Sequence, residues 1–329
     1  MNFTREEIEA AQATVHAAMP PTPQYVWPLL GQRLGCTLWA KHENHTPVGA
    51  FKIRGGLCYL ESLAREQPGV RHVISATRGN HGQSIGFAAR RHGLAATIVV
   101  PHGNSVEKNA AMRALGVTLV EHGDDFQAAS EHAALLAERD GLHRVPSFAR
   151  ELVRGVATCW VEFFEAVKRA GDVPDVLFVP IGLGSGFAAA AAARAHCKVS
   201  TRLIGVVSAH ATAYRDSFLA GHAVDAPVTT LLADGMACRT PVPEALEMLR
   251  REAEDVVTVT DGEVAQAMRA LFTDTHNVAE GAGAAALAAA MQQRERWRGR
   301  TVGIAVSGGN VDAPLFANVL TMPAPTGNI

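Results

Sequence analysis

In the stretch Val48-Gly49-Ala50-Phe51-Lys52-Ile53-Arg54-Gly55-Gly56 a lysine stands among apolar neighbours. The chain uses lysine sparingly: of 30 basic residues only five are Lys (Lys41, Lys52, Lys108, Lys168, Lys198), and the rest are Arg. A chain that writes Arg by default, and Lys between Phe and Ile, points to an amine that can lose its proton. Desolvation lowers a lysine's pKa readily, which suits it to Schiff-base and general-base chemistry; a guanidinium stays charged. A side chain snorkelling from an early helical turn would also account for Lys52 taken alone, so three further segments bear on the choice.

Ser75-Ala76-Thr77-Arg78-Gly79-Asn80-His81-Gly82-Gln83 follows a strand and opens a helix. Its Gly-Asn turn frees amides at a helix N-terminus, which with Thr77 and the amide side chains suits a carboxylate. Val179-Pro180-Ile181-Gly182-Leu183-Gly184-Ser185-Gly186-Phe187 runs from strand to glycine loop to Ala-rich helix, an arrangement that cradles phosphate through backbone amides. A nicotinamide dinucleotide site would also use such a loop but wants an acid after the next strand. Here that strand runs into Ser208-Ala209-His210, so a single phosphate group is favoured. Ser307-Gly308-Gly309-Asn310 again ends a strand, where a hydroxyl and two glycines can approach a flat ring. Each segment has an ordinary reading as a turn; their convergence is what carries weight.

The elements that must position these segments alternate. Strands are predicted at 37–41, 72–75, 96–100, 117–120, 176–179, 203–207, 256–259 and 302–306. Helices are predicted at 57–65, 81–91, 106–115, 126–139, 152–169, 187–196 and 263–274, with Thr4 and Thr260 as caps. Such alternation argues for parallel sheets with helices on both faces. A block from about residue 56 to 146 holds several of these units and could form a lobe of its own, with a site between the lobes. The tail 321–329 is expected to fray.

At 329 residues, 48% hydrophobic and 19% charged, the chain can bury sizeable cores. A net charge of −2 with no basic run gives no electrostatic case for nucleic acid. The apolar stretches around 187–193 and 284–291 are far shorter than a membrane span. Five scattered cysteines without a Cys-x-x-Cys pair, and an N-terminus unlike a signal peptide, suggest a cytoplasmic protein with reduced thiols.

Together the four segments resemble the pyridoxal phosphate enzymes of fold type II, in particular the threonine/serine dehydratase and serine racemase group, over nearly the whole chain. The resemblance implies an α/β fold of two lobes, each a mostly parallel sheet flanked by helices, as in the tryptophan synthase β-like enzymes. Residues 1–55 and 147–329 would form a large cofactor-binding domain, and 56–146 an inserted small domain that gates the substrate. The cofactor implied is pyridoxal 5'-phosphate, carried by Lys52 as a Schiff base next to Phe51. Asn80 would bond its phenolic oxygen, and Gly182, Leu183, Gly184, Ser185 and Gly186 its phosphate. Gly235, after Asp234, and Glu280, in Ala279-Glu280-Gly281-Ala282-Gly283, would line the ring, with Ser307 facing the pyridine nitrogen. Thr77, Arg78, Gly79, Asn80 and His81 would hold the substrate. The partner is then a small amino acid, and the family suggests a homodimer.

Gly-Asn-His-Gly-Gln points to the dehydratases, where β-replacement enzymes carry Gly-Asn-Thr-Gly. The implied reaction eliminates water from a 3-hydroxy amino acid such as threonine or serine, giving a 2-oxo acid and ammonia. Alternatives are a lyase for a bulkier or acidic 3-hydroxy amino acid (3-hydroxyaspartate, phenylserine, hydroxyectoine-derived) and a racemase of the same fold. Arg78 stands where serine racemases place a hydroxyl, and a guanidinium is a poor base, which disfavours racemisation. Arg78 reads either as a cation selecting an extra carboxylate or polar β-substituent, or as a salt bridge to Glu280 or Asp234. Ala50 replaces the family's usual serine, and Ser208 and Tyr214 replace acidic metal ligands, so no metal is expected there. The family's regulatory domain would fall after this sequence and is not expected. His42 and His45 are read as structural or lining the site entrance, His102 and His122 as loop residues, and Asp124-Asp125 as a helix cap.

Overall fold

The computed structural model describes residues 1–321; residues 322–329, nearly all of the tail expected to fray, lie outside the described residues. Ten strands run in chain order: β1 (Gln24–Val26), β2 (Thr37–His42), β3 (His72–Ala76), β4 (Ala95–Val100), β5 (Thr118–Glu121), β6 (His143–Arg144), β7 (Val176–Pro180), β8 (Arg202–Ser208), β9 (Ala253–Val259) and β10 (Thr301–Val306). They form two sheets, a six-stranded one ordered β1-β2-β10-β7-β8-β9 and a four-stranded one ordered β5-β4-β3-β6. All pairings are parallel except that of β1 with β2. Strands buried on both faces read as continuous apolar runs, which is why Val176–Val179 and Val302–Val306 stand out in the sequence.

Side-chain alternation splits the large sheet's core in two. Phe178, Ile204 and Ile304 face the helices Asp261–Thr275 and Gly281–Gln292. Leu177, Leu203 and Ala305 face Arg150–Arg169, Ser185–His196 and Pro243–Glu252. In the small sheet Val73 and Ile98 pack under Lys52–Glu66 and Asn80–Arg91, and Ile74 and Val99 under Phe126–Asp140. Both predicted caps form full capping boxes, Thr4 with Glu7 and Thr260 with Glu263.

Several elements go beyond the sequence-based expectation. β1 and β6 are too short to leave a pattern, and the helices Pro28–Leu34, Ala213–Ala220 and Pro243–Glu252 break up what would otherwise be loops. The helix predicted from residue 57 begins at Lys52, one and a half turns earlier. It is positioned by glycines at two crossings. A Cβ on Gly155 would lie 2.2 Å from the Arg54 carbonyl oxygen, and one on Gly56 would lie 2.9 Å from that of Ser84. The Arg-Gly-Gly after Lys52 therefore lets its helix press against both neighbours.

All five cysteines are unpaired, with Cys58, Cys159 and Cys238 buried. Among the described residues no helix is long and apolar enough to cross a membrane.

Candidate active site

Lys52 owes its place to a zipper between two segments. The Phe51 amide donates to the Ser307 carbonyl at 3.0 Å and the Gly309 amide to that of Gly49 at 2.9 Å, and Ala50 and Gly308 form a bridge. This ties the start of the lysine's helix to the turn after β10, bringing the first and fourth sequence segments together. Lys52 lines two adjoining cavities, and the surface it keeps is cavity wall. Burial lowers its amine to about 8, against a smaller upward pull from the Glu280 carboxylate. The Ser84 hydroxyl donates to the Lys52 carbonyl at 2.6 Å and fixes the backbone from the small sheet's side.

The second segment opens the helix Asn80–Arg91, whose N-cap, Gly79, supplies no side-chain bond to the first-turn amides. Those donors remain available to an anion. Thr77 Oγ1 accepts from the Gly79 amide at 2.9 Å and sets the turn. His81 is buried beside Lys52 with Nε2 unpartnered; burial, then the lysine's charge, lowers it to about 3 and keeps the ring neutral. Asn80 Nδ2 donates to Glu280 Oε1 at 2.5 Å, while Asn80 Oδ1 accepts from Asn310 Nδ2 at 2.9 Å.

Glu280 is the N-cap of Gly281–Gln292 yet makes no capping bond; its carboxylate turns into the cavity. Burial raises its pKa, and Lys108 works against that rise. Lys108 Nζ lies 3.0 Å from Glu280 and 2.8 Å from Asp234. The salt-bridge reading of Arg78 is thereby corrected: Lys108 pairs with both acids, and Arg78 makes no ion pair among the described residues.

In the third segment Gly184 takes φ +95°, which a residue with a side chain rarely adopts, and turns β7 into the helix Ser185–His196. That helix too has no side-chain cap. The loop is braced from behind: the Tyr214 hydroxyl donates to the Leu183 carbonyl at 2.9 Å and accepts from the Val242 amide at 3.0 Å. Gly182 lies so close to Gly235 that a Cβ would stand 2.3 Å from the Gly235 oxygen. Gly182 to Gly186, Gly235, Phe51, Lys52, Asn80, Glu280 and Ser307 all line one cavity. Thr77, Arg78, Gly79 and His81 line the adjoining one, which Lys52, Asn80, Gly182, Leu183 and Gly235 also border.

A lysine with a lowered pKa between two uncapped helix N-termini is the setting for a phosphate-bearing aldehyde. The family model described as pyridoxal-phosphate dependent enzyme matches residues 15–308. The chain belongs to the pyridoxal-phosphate dependent enzymes. It is 35% identical over 293 residues to an L-threonine ammonia-lyase of Geobacter sulfurreducens, covering 88% of this chain and 71% of that protein. It is similar to the crystal structure of a threonine deaminase from T.th. with TM-score 0.86 at 30% identity, covering 94% of this chain and 99% of that one. Maize serine racemase gives TM-score 0.86 at 26% identity, with 95% of each chain covered.

The residues of this pyridoxal-phosphate enzyme fit the cofactor. The amides of the glycine loop and the first turn of Ser185–His196 suit its phosphate and Lys52 its aldehyde, while His81 keeps a buried Nε2 with no hydrogen-bond partner in the wall of the adjoining cavity. Two features escaped sequence reasoning. Lys108 was visible only as one of five scarce lysines, with nothing to name its partners. Beneath Lys52, Arg54 is fully buried, its Nε 2.7 Å from Glu43 and its Nη1 2.7 Å from Glu162, which also takes Lys41 at 2.6 Å. The remaining candidates are structural. His42 stacks on His45, accepts from Trp27 Nε1 at 2.9 Å, and is lowered to about 4 by burial and then by His45. Asp125 caps Phe126–Asp140, and His122 stacks on His132.

Proposed function

We infer that the chain is a lyase that removes water and then ammonia from a 3-hydroxy amino acid, releasing a 2-oxo acid. The observation that carries this reading is the Lys52 amine, lowered to about 8 and set between the Gly79–His81 turn and the glycine loop. When bound, pyridoxal phosphate supplies an electron sink that makes the proton on the substrate's α-carbon removable.

The chain's own residues do the rest. The first amides of Asn80–Arg91 orient the substrate's carboxylate, which sets Cα against Lys52 Nζ. Near neutral pH a useful fraction of that amine is unprotonated, so Nζ takes the Cα proton. His81, neutral and buried, adds no charge to compete. Ser307, in the wall of the cofactor cavity, would offer the bound ring's nitrogen a hydroxyl and not a carboxylate, which would favour prompt loss of the β-hydroxyl over prolonged charge build-up. The released enamine takes up water, yielding the 2-oxo acid and ammonia. The reading includes a small lobe, 56–146, that closes over the substrate, a cytoplasmic location and a homodimer, the last tested by light scattering.

The deciding experiment measures 2-oxo acid and ammonia release from L-threonine, L-serine and other 3-hydroxy amino acids, with Lys52→Ala alongside. Equal release of both products by the wild type, and none by the variant, is expected. Loss of optical activity without 2-oxo acid would make the enzyme a racemase instead.

A further inference from the structure

The substrate side of the site extends beyond what threonine needs. The cavity between Lys52 and the Gly79 turn shares Arg78, Phe126, Leu183 and Ala237 with a second cavity, whose outer wall carries the exposed Asp124 and Arg239. Besides Lys52, two cations border the inner cavity. Lys108 is already paired with Asp234 and Glu280. Arg78 is not: among the described residues its guanidinium makes no hydrogen bond or ion pair, and its Nε is shut off from solvent without a partner. A shielded donor left unmatched is costly, and native structures keep few of them. Arg78 also stands where the two cavities meet, with the ring of Phe126 beside it in both walls.

Resting on the lyase reading above, we propose that the substrate's β-carbon carries an extension longer than methyl that ends in a carboxylate, with Arg78 as its receptor. The planar guanidinium matches a carboxylate in a way that no other free group bordering both cavities does. The substrate's own α-carboxylate has a separate site, the uncapped amides of Asn80–Arg91. The acidic extension thus occupies the junction of the cavities while elimination proceeds at Cα and Cβ.

The test uses the holoenzyme and its variants Arg78→Gln and Arg78→Lys. Rates of 2-oxo acid release are compared for both 3-hydroxyaspartate diastereomers, L-threonine, L-serine and phenylserine. One 3-hydroxyaspartate diastereomer should have the highest wild-type kcat/KM. Arg78→Gln should lower that value roughly 10- to 100-fold more than it lowers threonine's, mainly through KM, and Arg78→Lys should recover part of the loss. A wild type that prefers threonine, serine or phenylserine overturns the proposal. So does an equal loss for every substrate, which would make Arg78 a receptor for the common α-carboxylate. Should the variants fail to fold, the wild-type holoenzyme is titrated by its cofactor absorbance with L-aspartate and L-2-aminobutyrate, which carry no β-hydroxyl. About tenfold tighter binding of L-aspartate is expected, and equal affinities overturn the proposal. If no hydroxy amino acid yields a 2-oxo acid, the lyase reading has failed, and this titration still decides the role of Arg78.

Discussion

Keeping the Lys52 amine buried burdens the fold whenever the cofactor is absent. An amine lowered from its ordinary 10.5 to about 8 is less welcome as a cation in the native state than in the unfolded chain. In the window between about 8 and 10.5 the unfolded chain binds the extra proton, so the stability of the cofactor-free protein rises with pH there and the penalty is full below it. Lys52→Met should therefore stabilise the cofactor-free protein at pH 7 by about 3 kcal/mol, with the advantage shrinking toward pH 10. Urea unfolding of both proteins at the two pH values checks this; a difference independent of pH would refute it. Lys52 could be picked out from the sequence because its residue type conflicts with its neighbours. Lys108 could not, since Asp234 lies 126 positions away and only the fold brings them together. Arg78 was half legible: its charge and its place in the turn could be read, but its lack of a partner could not.

At the scale of elements, the helix Lys52–Glu66 is held by a glycine crossing and by a buried charge cluster. Gly155→Ala would drive a methyl into the Arg54 carbonyl, 2.2 Å from the ideal Cβ. A loss of about 1–3 kcal/mol is expected, together with weaker cofactor retention, because the lysine's first turn must shift. Fluorescence-monitored unfolding and cofactor release after dialysis measure both effects. Arg54→Met removes the guanidinium that bridges Glu43 and Glu162, leaving Glu43 with the Thr22 hydroxyl and Glu162 with Lys41 and His16, and should cost about 3–5 kcal/mol. The same cluster sets the acid limit. Burial pushes Glu162 up, but Arg54 and Lys41 outweigh it and hold the carboxyl at about 2. Its contribution is complete above about 4.5 and fades as pH falls toward 2. Glu162→Gln should flatten stability across that window. The capping boxes at Thr4 and Thr260 made two helix starts readable, and apolar runs revealed the central strands. β6, with two residues, leaves no periodicity to read, and the Arg54 cluster depends on Glu162, 108 positions away.

Across the whole molecule, the two sheet layers are joined by the packing of Lys52–Glu66 on Arg150–Arg169 and by polar contacts around the site. The N-terminus of Val106–Ala114, beyond the small sheet, reaches the other side by Lys108 to Asp234 and Glu280, by Ser105 to Asp312, and by Glu107 to the Ala313 amide at 2.8 Å. Lys108→Met should loosen this contact. Amide exchange in Val106–Ala114 is expected to quicken roughly tenfold while exchange in β7 and β10 stays as it was. Identical exchange in both proteins would show that Lys108 is no fastener. The two-sheet architecture was legible because strand and helix alternate through the chain, whereas these cross-contacts pair residues with no local signature. The five unpaired cysteines give the architecture a further use. Burial lifts Cys36 and Cys197 to about 11 and Cys58 and Cys238 to about 12, and places Cys159 higher still. Thiolate is accordingly scarce at neutral pH, and native protein should be slow to react with alkylating or disulfide reagents. Each buried sulfur then acts as a clock for the opening of its own surroundings: Cys58 times the lysine's helix, Cys159 the long helix beneath it, and Cys238 the segment between Gly235 and Pro243–Glu252.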